Sequence, residues 1–481
     1  MNKIGALLEK YFAAVLAVMA AGSVIMYLTL SGAKEIWYDE AYTMAMMRHG
    51  FGDICRISAA DVHPPLYYIL LKLFMAVFGE SMAAARCFSV IPYTVIILTG
   101  GIQLKRLFNA RTAAAFVLLF VMFPYMLSYA VEIRMYSLAA MFVFLTALYS
   151  YRCFEKNGIS DWVILTLSGV GAAYTHYFAM VSAGIIYAIL LGACILKKRE
   201  CIKRWALSAV AVIIIYLPWM RCFAQQLIYK VNNEYWIAPL TAKTILGYAY
   251  SIFSAAGLPS FFVFSFAAYF ALFICVLRKK NRRITVLTLA CIAVPLGTIA
   301  VGVIASLLVR PVFVIRYVIP ALPVFIVFAA VAMSEIKSEA VISVFLTIAL
   351  MSGMSNYAFV LSRKYSEIKN QLDAEFAERY SGCGCYIVNA SKNAEEQLSA
   401  VLGYYERDKT IYKETAKGDD NPYANHEYIG DFDAEKYDSV VLITDCGAEP
   451  SAELAALYDC EYKEQTITRS YKADVYLLTK R

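Results

Sequence analysis

Long uncharged runs alternate with short Lys/Arg clusters from residue 12 to about residue 360, and beyond that point the chain turns to short mixed segments. The first run, FAAVLAVMAAGSVIMYLTL (12–30), is long enough to cross a hydrocarbon core of roughly 30 Å, and with no small-residue cleavage site after it, it predicts a retained helix. Further apolar segments lie at 86–104, 112–128, 134–152, 161–176, 178–196, 204–221, 260–277, 284–308, 316–334 and 338–360. With shorter candidates at 64–79 and 243–257, the pattern predicts about 11 to 13 spans.

From residue 362 the pattern is different. Strand-like CYIVNA (385–390), DSVVLITD (438–445) and ADVYLLT (473–479) alternate with helix-like AEEQLSAVLGYYE (394–406) and AELAALYD (452–459), which predicts a small α/β domain. The expected organisation is a mainly α, polytopic helical bundle over 1–361, with a loop at 31–85, followed by a soluble α/β domain over 362–481.

Composition agrees: 60% of residues are hydrophobic, 17% are charged and the mean hydropathy is +0.58, values that exclude an ordinary soluble chain of 481 residues. The net charge of +7 would suggest nucleic acid in a soluble protein. Here the basic residues gather in KRLFNAR (105–111), KKRECIKR (197–204) and RKKNRR (278–283), between apolar runs, so they record orientation and no nucleic-acid partner is expected. The positive-inside rule then puts the N-terminus in the cytoplasm. It puts 31–85, 125–134, the region of residue 176, 222–242, 309–316 and the C-terminal domain outside. Of 12 cysteines, eight are scattered through the first 300 residues without zinc-site spacing and read as small hydrophobes. Cys383, Cys385, Cys446 and Cys460 in the tail could pair in an oxidising compartment.

Five stretches on the predicted outer side hold candidate chemistry. EIWYDEAYTMAMMRHG (35–50) has adjacent carboxylates, Asp39 and Glu40, with Ala41, Met44, Ala45 and Met47 spaced for one face of an interfacial helix, although a solvated pair on a loop would also account for it. DVHPPLYYILLKLFMAVFGES (61–81) has two prolines that fix the backbone before an aromatic helix, as at many helix starts. YAVEIRMYSLAAM (129–141) brings Glu132, Arg134 and Tyr136 to the end of a span, where buried ionisable groups tend to face a cavity and have partners. Interfacial anchoring explains Arg134 and Tyr136 equally well, Glu132 less so. AAYTHYFAMV (172–181) flanks His176 with Tyr174 and Tyr177, and RPVFVIRYVIPALP (310–323) holds Arg310, Arg316 and Tyr317. Either arginine could grip a lipid phosphate or simply snorkel to headgroups.

In this order, YDEAY, HPPLYY, EIRMY, YTHYF and RPVFVIRYVIPALP resemble the GT-C superfamily of integral membrane glycosyltransferases over roughly residues 10 to 335. The likeness is to family 39, the protein O-mannosyltransferases, and its bacterial aminoarabinose-transferase relatives. The resemblance implies transfer of a sugar from a polyprenyl-phosphate donor to a lipid, glycan or protein acceptor at the outer face of the cell membrane, usually with inversion. It implies a catalytic set of Asp39, Glu40 and Glu132 and a donor-phosphate set of Tyr42, His63, Arg134, Tyr136, His176, Arg316 and Tyr317. Two positions depart from the aminoarabinose enzymes: His63 stands where they have a lysine, and Tyr42 where they have an arginine. Both argue against aminoarabinose as the sugar. The branch implies no cofactor, and the alternative is a divalent metal held by Asp39 and Glu132. A transporter or flippase of lipid-linked sugars, or a polysaccharide ligase or polymerase, would use similar groups.

Overall fold

In a computed structural model, residues 3–32, 36–232, 237, 239–279, 281–362, 372–416, 422–467 and 471–481 are described. The eleven principal apolar runs become helices whose ends are set by caps and prolines. In chain order the helices begin with α1 (Lys3–Ser31), α2 (Tyr38–Met46), α3 (Phe51–Ala60), α4 (Leu66–Phe78), α5 (Met82–Leu107) and α6 (Ala110–Met122). There follow α7 (Pro124–Ser128), α8 (Tyr136–Lys156), α9 (Ile159–Thr175), α10 (Tyr177–Lys197), α11 (Ile202–Asn232) and α12 (Ala242–Phe253). The series of apolar helices closes with α13 (Pro259–Arg278), α14 (Arg282–Leu308), α15 (Leu322–Ser334) and α16 (Glu339–Ser362).

Ser81, Asn109, Thr241 and Asn281 each accept a backbone N–H at a helix start, and Pro124 and Pro259 open helices where a missing N–H does no harm. Among the described residues nine helices are long and apolar enough to cross a membrane, so the chain is a multi-pass membrane protein; α6 and α9 fall on predicted runs but are shorter. The run at 112–128 is not one helix. It breaks at Phe123, whose extended backbone precedes Pro124, as the residue before a proline tends to do.

The chain divides into two compact units, Met1–Ser31 with Asp61–Leu361 and Gly32–Ala60 with Ser362–Arg481. The loop expected at 31–85 is therefore split at residue 60, and its first half, with α2 and α3, belongs to the C-terminal unit.

In the first unit the helices pack through aromatic layers. Phe116 stacks on Phe144 with centroids 5.4 Å apart, and Gly100 leaves room for the Phe116 ring, which a Cβ there would meet at 2.3 Å. Ser182 and Thr298 hydroxyls bond at 2.8 Å between α10 and α14. The buried Asp161 is paired with Arg152 Nε at 2.7 Å, satisfying a charge that would otherwise be costly there.

The second unit has a six-stranded sheet in the order β3-β2-β1-β4-β6-β5, made of β1 (Cys385–Asn389), β2 (Ile411–Lys413), β3 (His426–Tyr428), β4 (Ser439–Asp445), β5 (Tyr458–Ile467) and β6 (Lys472–Lys480). The first four are parallel neighbours, and β6 runs antiparallel between β4 and β5. Register sets Cys385 beside Val440 and Ile387 beside Leu442, so one face gathers these residues with Tyr412, Tyr458, Tyr476 and Leu478 into a core. α17 (Ala374–Arg379), α18 (Lys392–Tyr405) and α19 (Ala452–Leu457) complete the domain. Helix was expected through Asp459, but α19 stops at Leu457 and Tyr458 opens β5, because strand pairing with β6 outweighs the local pattern. Among the described residues no disulfide joins Cys383, Cys385, Cys446 and Cys460.

Candidate active site

The predicted residues fall in both units. Asp39, Glu40 and Tyr42 lie on α2 in the second; His63, Glu132, Arg134, Tyr136, His176, Arg316 and Tyr317 lie in the first.

In the first unit four separate stretches converge. The EIRMY segment is a tight turn between α7 and α8: Arg134 N–H donates to Glu132 C=O at 2.7 Å across a single residue, and Glu132 N–H donates to Tyr129 C=O. Glu132, Arg134 and Tyr136 are all buried. Arg134 Nη1 donates to Tyr68 Oη at 3.3 Å, which brings in the second tyrosine of HPPLYY, a contact not predicted for that residue. His63, just before the proline pair, is buried with Nδ1 3.3 Å from Asp61 Oδ2.

His176 sits at the centre. It is the N-cap of α10, and its Nδ1 accepts from Phe178 N–H at 3.1 Å. A ring nitrogen that accepts is unprotonated, so the neutral imidazole holds its proton on Nε2. Its ring lies 5.6 Å from His63, 5.9 Å from Tyr136 and 4.9 Å from Tyr317, and Tyr317 stacks on Phe178 at 5.1 Å.

The stretch holding Arg316 and Tyr317 is shaped by Ser306, whose hydroxyl accepts from Val312 N–H and Phe313 N–H at 3.2 and 3.1 Å. Gly302 leaves space for the Phe313 ring, and the chain then enters a 3-10 turn over Ile315–Ala321. The Arg316 guanidinium lies 6.0 Å from the Tyr317 ring centre. The result is a largely buried group of two imidazoles, two guanidiniums, tyrosine hydroxyls and two carboxylates, Glu132 and the Asp61 that pairs with His63. Chemically it suits an anion with an apolar body.

In the second unit the two adjacent carboxylates have different settings. Both lie in the first turn of α2, where the exposed backbone N–H groups favour negative charge. Glu40 is fully buried, whereas Asp39 keeps partial exposure. Neighbouring helical residues point about 100° apart, so only one of the pair keeps access to solvent. Thr43 closes the turn by donating to Asp39 C=O at 2.9 Å. Tyr42 is half-buried. Among the described residues no group of three or more His, Cys, Asp or Glu side chains is arranged to hold a metal ion.

The family model for dolichyl-phosphate-mannose-protein mannosyltransferases matches residues 62–220, which contain His63, Glu132, Arg134, Tyr136 and His176 but not α2 or Arg316. In fold the chain is similar to ArnT from Cupriavidus metallidurans: the apo structure matches with a TM-score of 0.65 at 12% identity, covering 96% of this chain and 98% of that one. A second ArnT structure from the same organism, bound to undecaprenyl phosphate, matches with a TM-score of 0.64 at 11% identity and the same coverage. No curated protein matches the sequence.

Proposed function

From the premise that this chain has the fold of the GT-C membrane glycosyltransferases along almost its whole length, we propose that it transfers a sugar from a polyprenyl-phosphate donor to a cell-envelope acceptor. The observation that carries the reading is the convergence of His63, Arg134, Tyr136, His176, Arg316 and Tyr317 from distant parts of the sequence into one basic, aromatic group. The likeness to an ArnT structure bound to undecaprenyl phosphate supports a polyprenyl phosphate as the lipid.

In the proposed reaction an acceptor hydroxyl oxygen attacks the anomeric carbon, the bond from that carbon to the phosphate oxygen breaks, and the lipid phosphate leaves with the electron pair. Attack opposite the leaving group inverts the anomeric centre. Asp39 takes the hydroxyl proton; its partial exposure suits a water-borne acceptor better than the buried Glu40 does. Glu40 and Glu132 then act through the local field. Arg134 and Arg316 meet the charge growing on the phosphate, and His176 Nε2–H and the hydroxyls of Tyr136 and Tyr317 supply neutral donors. Tyr42 and His63 stand where the aminoarabinose enzymes have an arginine and a lysine, and the loss of both charges favours a neutral hexose. Two guanidiniums make a metal unnecessary for the leaving group. The N-terminus is assigned to the cytoplasm and the C-terminal domain to the outside, because all three basic clusters fall on one side.

Labelled sugar transfer from a panel of polyprenyl-phosphate monosaccharides, by purified protein in nanodiscs, tests the reading. Transfer by the wild type and its loss in Asp39→Asn, with donor binding retained, is expected. Movement of lipid-linked sugar across vesicles without a new glycosidic bond would replace it with a transporter.

A further inference from the structure

The helix with the acidic pair belongs to the soluble domain by packing, not by sequence. α2 lies against α18, although every apolar helix but α1 stands between them in the sequence. α18 is also the helix that covers β1 and β2. A helix on a sheet normally keeps one polar, solvated face. In α18 the six consecutive residues Leu398, Ser399, Ala400, Val401, Leu402 and Gly403 are all buried, so the helix is covered on every side there, by the sheet on one side and α2 on another.

Two polar links run from the segment just after α2. His49 Nε2–H donates to Pro422 C=O at 2.7 Å, and Arg48 Nη2 reaches Gly403 C=O at 3.5 Å. Both acceptors are main-chain carbonyls, one in α18 and one leading into β3. The turn after α2 is closed by Arg48 N–H to Ala45 C=O and His49 N–H to Met46 C=O, so the links act on the helix end through two short bonds and no flexible linker.

We propose that the soluble domain is the positioning element for the acidic pair: α18 seats α2, and His49 and Arg48 are the positioning residues that fix its end. The proposal rests on the transferase reading for the role of Asp39, but the seating itself does not. The domain thereby has a function in the reaction besides any contact with an acceptor, and its loss removes the proton acceptor's setting while leaving the basic group of the helical bundle in place.

The test uses the full chain in nanodiscs, comparing wild type, His49→Ala, His49→Gln and the double variant Arg48→Ala/His49→Ala by hydrogen–deuterium exchange and by transfer kinetics. Glutamine keeps a side-chain N–H that can reach the Pro422 carbonyl. Losing one well-formed hydrogen bond should raise exchange over residues 38–46 and lower kcat about five- to tenfold in His49→Ala, more in the double variant, with the donor KM unchanged and with recovery in His49→Gln. Unchanged exchange over 38–46 in the double variant overturns the proposal, as does raised exchange with undiminished kcat in a protein that Asp39→Asn inactivates. If no variant, nor the wild type, transfers sugar, the transferase reading fails, and exchange alone decides whether the domain seats α2.

Discussion

The basic group and the acidic pair differ in how they are built. The first is assembled inside the helical bundle from a tight turn, a helix cap, the segment before a proline pair and a 3-10 turn, each locked by ring contacts or main-chain bonds. The second rides on one nine-residue helix whose packing partner is the C-terminal α/β domain. A basic group locked within the bundle and an acidic helix seated on a separate domain can be perturbed one at a time. Binding of donor and removal of the acceptor's proton should therefore come apart under mutation.

The sharpest break is expected from Asp39→Asn, which should lower turnover by about 10²- to 10⁴-fold, the usual range for a lost general base, while donor binding measured by titration stays near wild type. Next is Ile387→Ala in the sheet core: the side chain is about 1% exposed, and its truncation should cost about 2–5 kcal/mol. Exchange should rise across β1 and α18 and also over 38–46, with turnover falling and donor affinity kept; donor affinity falling in parallel would erase the contrast between the two regions.

A smaller effect comes from Lys413, the last residue of β2. Burial pulls its ammonium down from 10.5 to about 8, with Glu395 and Glu396 opposing. The folded value lies below the unfolded one, so between those pH values the unfolded chain binds more protons, and raising pH across that window should strengthen the domain by up to about 3 kcal/mol. Thermal unfolding followed at pH 7.5 and pH 10 should show this gain in wild type and not in Lys413→Met. The mildest change is Arg134→Lys, which keeps the charge but loses the fork, and should raise donor KM about tenfold with kcat little changed. Stripping divalent metal with a chelator should leave turnover intact; loss restored by added Mn²⁺ would shift the leaving-group role from Arg134 and Arg316 to an ion.

The helical frame was readable because a span must be apolar along its whole length, and each of the eleven principal runs holds a helix, the one at 112–128 in two pieces. The break at Phe123–Pro124 was not read, because a proline inside an apolar run does not by itself end a helix: Pro92, Pro218 and Pro295 lie within continuous ones. In the C-terminal domain β1, β4 and β6 announced themselves by β-branched runs, but β2 and β3 are three residues each, and β5 is a charged edge strand with a bulge near Cys460. The motifs named residues of which those in the first unit come together in the fold, whereas the N-cap role of His176 and the Tyr68 contact of Arg134 depend on three-dimensional placement. Least readable was the partner of α2. Nothing near residues 38–46 in the sequence encodes a surface made by 392–405.

That long-range seat has a consequence for biogenesis. At roughly 5–20 residues per second, the ~345 residues between Met46 and Lys392 take on the order of 20 to 70 s to synthesise. Throughout that interval the acidic helix has left the ribosome without the surface that seats it. Maturation is therefore timed by the far end of the message, and a nascent chain truncated between Tyr317 and Lys392 carries every residue of the basic group but not the helix that seats the acidic pair.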